Sequence, residues 1–105
     1  MKALKINLPK AAIAEFCQRW QIIELAVFGS VLRDDFNLDS DIDFLFTFSP
    51  EAQWGLFKVM EIQEELENLV GRPIDFVSKN AIERSENWLR RQEILGTAEI
   101  IYEAR

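Results

Sequence analysis

Histidine is absent from this chain and cysteine occurs once. Without histidine, Ser-His-Asp catalysis, Cys-His catalysis and histidine-bearing zinc sites are all excluded. The single Cys17 forbids an internal disulfide and fits a reducing compartment. It shares the apolar face of the first helical stretch with Ile13, Phe16 and Trp20, so it reads as core. No apolar run approaches membrane length and no secretory leader shows, which predicts a cytoplasmic protein without a membrane partner. Basic residues are also scarce: 12 Lys and Arg stand against 18 Asp and Glu, for a net charge of −6. That balance disfavours direct nucleic-acid binding, which rests on clustered Lys and Arg, yet leaves enough cations to grip a small triphosphate. Internal repeats, low-complexity segments and linkers are missing too.

What remains is an ordinary globular composition, 105 residues with 49% apolar content, enough for one core and one domain over residues 1–105. Pro9 to about Trp20 carries helical spacing, with Pro9 suited to a first-turn position. Ile22 to Phe28 is short, apolar and rich in β-branched residues, a buried strand closed by Gly29. Ser30 to Asp35 reads as a short helix, and Asp41 to Phe48 as a second strand ended by Ser49 and Pro50. Trp54 to Val70 is the longest helix, with Val59, Ile62, Leu66, Leu69 and Val70 on one stripe and Gly71 as its carboxyl cap. Pro73 to Ser78 is a third strand. Asn80 is placed to cap a helix running to about Leu95 and ended by Gly96, and Ala98 to Tyr102 closes as a strand. Strands alternating with helices predict an α/β (α+β) fold, a mixed β-sheet with flanking helices. Near-continuous apolar runs such as Phe44-Leu45-Phe46 predict that both sheet faces are mostly buried, with helices or a second protein as the cover of the second face.

The informative segment is Gly29-Ser30, ten residues, then Asp41-Ile42-Asp43. Alternation along a strand sends Asp41 and Asp43 to one face, roughly 6.5 Å apart. Asp75 lies near the start of another strand. If that strand pairs beside the second, its carboxylate arrives within about 5 Å of the others. At an effective dielectric near 20, each such pair costs roughly 3 kcal/mol, so protonation or cations must relieve it. An all-carboxylate set prefers hard cations, and magnesium in particular because it shares its shell with substrate phosphates. Two such ions would orient a triphosphate and activate an attacking hydroxyl. Gly29 lets the backbone approach phosphate oxygens, Ser30 adds a hydroxyl and free N–H groups, and Arg33 is the nearest cation.

Each part taken singly is weak. Gly-Ser marks ordinary turns, and Asp-x-Asp often marks a solvated loop. A calcium loop over Asp39, Asp41 and Asp43 fails, because Phe44 stands where glycine is needed and Pro50 where a bidentate glutamate is needed. The spacing, the strand placement and the later aspartate are specific only together.

Together, Gly29, Ser30, Asp41, Asp43 and Asp75 resemble the signature of the DNA polymerase β-like nucleotidyltransferase superfamily. The short chain is similar to its minimal members, the MNT-type antitoxins paired with a HEPN-domain toxin. The resemblance runs from the first strand through Glu103, and departs where Asp34 follows Arg33, since many members carry glycine there. It implies a polymerase β-like fold, with ATP and magnesium bound at the Gly29-Ser30 turn and Asp41 and Asp43 holding the metals. Asp75 would complete one metal site and help deprotonate the acceptor. It implies AMP transfer to a tyrosine of the partner toxin, with pyrophosphate leaving. Two other readings stand beside it: an idle descendant that neutralises a partner by covering it, and a transferase acting on a small molecule or an RNA end. Homo- or hetero-oligomers are left open.

Trp54, Phe57, Trp88 and Tyr102 are expected to pack between helices and sheet, the alternative being a partner interface. Arg84, Arg90 and Arg91 read as a solvated face, with a nucleotide or partner role as the alternative. Glu61, Glu64, Glu65 and Glu67 read as the outer face of the long helix, with no chemistry assigned.

Overall fold

A computed structural model describes residues 8–32 and 40–104. The elements are α1 (Lys10–Arg19), β1 (Ile22–Phe28), a 3-10 turn (Gly29–Leu32), β2 (Ile42–Phe48), α2 (Leu56–Val70), β3 (Ile74–Ser78), α3 (Lys79–Glu83), α4 (Trp88–Thr97) and β4 (Glu99–Glu103). The strands form one mixed sheet in the order β3-β2-β1-β4. β1 runs antiparallel to both β2 and β4, while β2 and β3 are parallel. The parallel pairing follows from α2, whose 15 residues carry the chain back so that β3 starts beside the start of β2.

Alternation divides the sheet into two apolar faces. Leu25, Val27, Phe44, Phe46 and Ile74 join Phe16 and Cys17 of α1 and Ile62 and Leu66 of α2 in the larger core. Burial pushes the Cys17 thiol up to about 12, which suits a packing role. The opposite face is covered by a smaller cluster, in which Ala26 and Leu45 meet Ile82 of α3 and Ile94 of α4. Helices therefore lie on both sides: both faces are covered, as the apolar strands predict, and the second cover is the chain's own α3 and α4.

Helix ends depart from the sequence reading at several points, and at α3 and α4 side chains cap. Pro9 is the N-cap of α1, one residue before its first turn, and its carbonyl accepts the Ile13 N–H at 2.9 Å. α2 begins at Leu56 rather than Trp54, because Trp54 is held outside it by an Nε1 bond to the Trp20 carbonyl at 2.8 Å. Gly71 caps α2 as expected, at φ +79°. The single helix expected from Asn80 is two. Ser78, not Asn80, caps α3 by accepting the Ala81 N–H, and Asn87 caps α4 by accepting the Arg90 N–H. Between them, Ser85 accepts the Asn87 N–H, a local side-chain bond that competes with helix continuation. Gly96 does not end α4, which runs through Thr97.

The acidic stripe of α2 is partly structural. Glu65 pairs with Arg19 at 2.6 Å and accepts the Trp20 indole N–H at 3.1 Å, fastening α2 to α1. Trp54 and Tyr102 pack against the larger core, whereas Phe57 is 83% exposed and Trp88 55%. The packing expectation thus holds for two of those four aromatics.

Candidate active site

Strand register decides which carboxylates meet. β2 sends Phe44 and Phe46 to the larger core, so Asp43 projects to the other face with Leu45. Asp43 pairs with Phe28 on the antiparallel side and with Asp75 on the parallel side. Register partners share a face, and neighbouring strands lie about 4.8 Å apart. Asp75 therefore arrives beside Asp43 and not behind the sheet, and it is exposed whereas Asp43 is half-buried.

Asp41 behaves differently. β2 starts at Ile42, one residue later than the sequence suggests, and the β2–β3 ladder begins at Ile42 and Ile74. Asp41 lies just outside that ladder and is exposed. Among the described residues no three His, Cys, Asp or Glu side chains form a ready group for a metal ion. Register brings Asp43 and Asp75 together, and Asp41 stands one residue before the ladder.

Gly29 sits at φ +73°, in the left-handed region that L side chains avoid. A Cβ there would collide with Oδ2 of Asp43 and lie 3.2 Å from its Cγ. The glycine thus makes room for the protein's own carboxylate, beyond the phosphate approach inferred from sequence. Ser30 donates its hydroxyl to the Asp41 carbonyl at 3.2 Å. That spends its one O–H, so Ser30 ties the turn to Asp41 and leaves backbone N–H groups as the donors for an anion. Arg33 and the end of the short helix expected through Asp35 lie outside the described residues.

Two further bonds tie the two acidic strand starts together, and a third fastens the second of them to α2. Arg72 Nη1 donates to the Ser40 carbonyl at 3.1 Å, and the Ile42 N–H to the Pro73 carbonyl at 3.2 Å. The Ile74 N–H donates to Oε2 of Glu67 at 3.1 Å. Sequence reasoning missed Arg72 and assigned Glu67 no task. The available signal was position: both lie within one helical turn of the Gly71 cap that launches the Asp75 strand.

A cleft of about 380 Å³ opens beside Gly29 and Asp43, within the range of small-molecule sites. Its other wall is α4, through Arg90, Glu93 and Thr97, with apolar Phe28, Leu32 and Ile94 completing the lining. Arg90, read from sequence as solvated surface, therefore shares a cavity with the motif residues. Arg91 does not line it, and Nη1 of Arg91 instead donates to the Ser85 carbonyl at 2.7 Å.

The chain and its fold have counterparts among known proteins. A family model described as a nucleotidyltransferase domain matches residues 10–101. The protein adenylyltransferase MntA of Thermococcus cleftensis is 38% identical over 68 residues, covering 65% of this chain and 67% of that protein. A solved structure described as a minimal nucleotidyltransferase is 30% identical, with a TM-score of 0.66, and covers 86% of each chain. The fold also matches a complex of tri-AMPylated HEPN toxin from Shewanella oneidensis with its MNT antitoxin. There the TM-score is 0.60 at 14% identity, covering 90% of this chain and 70% of that one.

Proposed function

We propose, since this chain belongs to the nucleotidyltransferase domain family, that it is an antitoxin transferring AMP from ATP to a tyrosine of a partner HEPN toxin and so silencing it. The reading is supported by the relative named a protein adenylyltransferase and by the neighbour bound to an AMPylated HEPN toxin. The observation that carries it is the Asp43–Asp75 register on the face that holds Gly29.

The donor set fits magnesium. Two in-register carboxylates with an exposed third offer only oxygen, and this ion characteristically takes one or two carboxylates and completes its shell with substrate phosphates. Asp41, Asp43 and Asp75 would hold two such ions, which when bound neutralise charge on the triphosphate and acidify the acceptor hydroxyl. The absence of a ready three-carboxylate group is consistent with a site completed by the nucleotide.

The chain's own residues then divide the work. Gly29 admits the triphosphate close to the backbone, and Ser30 holds the Asp41 segment against the turn. Asp75, exposed at the strand edge, is open to an acceptor presented by another protein and takes its hydroxyl proton. The acceptor oxygen bonds to the α-phosphorus, the bond from that phosphorus to the bridging oxygen breaks, and pyrophosphate leaves. Arg33 is included as a phosphate contact. A cytoplasmic, one-domain protein completes the proposal; among the described residues no helix is long and apolar enough to cross a membrane.

The test is incubation with the partner toxin, magnesium and ATP labelled at the α-phosphate. Label should move to the toxin. Transfer that survives conversion of both Asp41 and Asp43 to alanine would refute the assignment. An idle binder is disfavoured because pure binding gains nothing from keeping two like charges in register.

A further inference from the structure

We infer that Arg90 belongs to the nucleotide site, gripping the β- and γ-phosphates of the bound triphosphate and the pyrophosphate that departs; this rests on the nucleotidyl-transfer reading. Arg90 lines the same cleft as Gly29 and Asp43. Its placement is determined by the helix that carries it. Arg90, Glu93, Ile94 and Thr97 follow one another at three- and four-residue steps, so they share a face. Ile94 is anchored in the smaller core at 6% exposure, which turns that face toward the sheet. Asn87 accepts the Arg90 backbone N–H at 3.1 Å, so the residue sits in a capped first turn.

The two adjacent arginines have separate tasks. Arg91 is committed to the Ser85 carbonyl. The Arg90 guanidinium makes no hydrogen bond or ion pair to another described residue, although Glu93 lies one turn away. Charge gives the reason for keeping it unspent. Among the described residues lining the cleft, Asp43 and Glu93 are acidic and Arg90 is the one cation. With Asp43 assigned to magnesium, a polyanionic substrate entering the cleft still meets repulsion from Glu93, and the planar guanidinium of Arg90 supplies matching donors. Negative charge grows on the β-phosphate as its bond to the α-phosphorus breaks, so the same contact strengthens during the reaction.

The experiment is calorimetric titration of ATP and, separately, AMP into wild type, Arg90→Ala and Arg90→Lys, each with magnesium. Arg90→Ala should weaken ATP at least about tenfold and leave AMP unchanged, with Arg90→Lys between. Because Arg90 is exposed, the unfolding midpoint should not move. ATP affinity unchanged in Arg90→Ala overturns the inference. So does an equal loss for ATP and AMP, which would place the contact away from the terminal phosphates. If wild type binds ATP yet never labels the toxin, the proposed function falls while this comparison still decides Arg90. If wild type binds no triphosphate, both fall.

Discussion

Asp43 and Asp75 are register partners across the parallel pair of β2 and β3, two like charges on one face of the sheet. Such a pair opposes folding, so the proposed function and stability pull in opposite directions there. Asp75→Asn should raise unfolding free energy by about 0.5 kcal/mol and lower AMP transfer at least about 100-fold. Urea denaturation and a transfer assay on the same preparation check both halves. A variant that loses stability as well as activity would contradict the account.

Gly29 and Asp43 should be energetically coupled. Gly29→Ala places an L side chain at φ +73°, costing about 1–2 kcal/mol for the backbone alone. It also pushes the Asp43 carboxylate aside. In a double-mutant cycle with Asp43→Ala, part of the glycine cost should vanish, giving a coupling above about 0.5 kcal/mol. Strictly additive costs would show that the two do not touch.

Arg72 should matter to activity without touching substrate. Its guanidinium holds the Ser40 carbonyl beside Asp41, and Arg72→Gln should cost about 1–2 kcal/mol of stability. Transfer should fall through kcat more than through the KM for ATP, because the segment proposed to carry metal loosens while the cleft is unchanged. A pure KM effect would place Arg72 at the nucleotide instead.

The pair of Lys79 and Glu24, joined at 2.7 Å, gives a pH signature. The Glu24 bond raises the Lys79 pKa above its ordinary 10.5. Stability from this pair is therefore complete below that ordinary value and is lost as pH rises through the raised folded-state value. Lys79→Met should cost about 0.5–1 kcal/mol at neutral pH, and its deficit against wild type should shrink above about pH 10.5. Buried Cys17 adds an alkaline loss to both proteins, so the difference between them is the readout. A deficit constant from pH 7 to 12 would rule out the ion pair as its source.

The strands were legible because their apolar runs are short and bounded, and β1 and β2 lie within one residue of the sequence reading. The helices were legible where one apolar stripe dominates, as in α2. The reading failed between Asn80 and Gly96, where apolar spacing continues but Ser78, Ser85 and Asn87 redirect the backbone. Side-chain oxygens compete locally with helical bonds, and that competition is weak in periodicity alone. Among the candidate site residues, Gly29, Ser30, Asp41, Asp43 and Asp75 were singled out by type and spacing, and the strand register sets Asp43 beside Asp75 and against Gly29. Glu67 and Arg72 were not, and Arg90 was read first as solvated face with a nucleotide or partner role as the alternative, because a charge on a helical or loop position looks the same in sequence whether it is idle or aimed.

Residue chemistry alone determined a histidine-free chain whose proposed site rests on carboxylates, a glycine at the turn beside them, and strands apolar enough to require cover on both faces. These follow from short-range physics: side-chain functional groups, permitted φ values and the two-residue period of a strand. Tertiary structure decided that β3 runs parallel beside β2, so that Asp75 meets Asp43, and that α4 folds back to set Arg90 across the cleft from Gly29. Those contacts join residues more than thirty positions apart in the chain, and they exist because α2 and α4 must bury Ile62, Leu66 and Ile94 against the sheet.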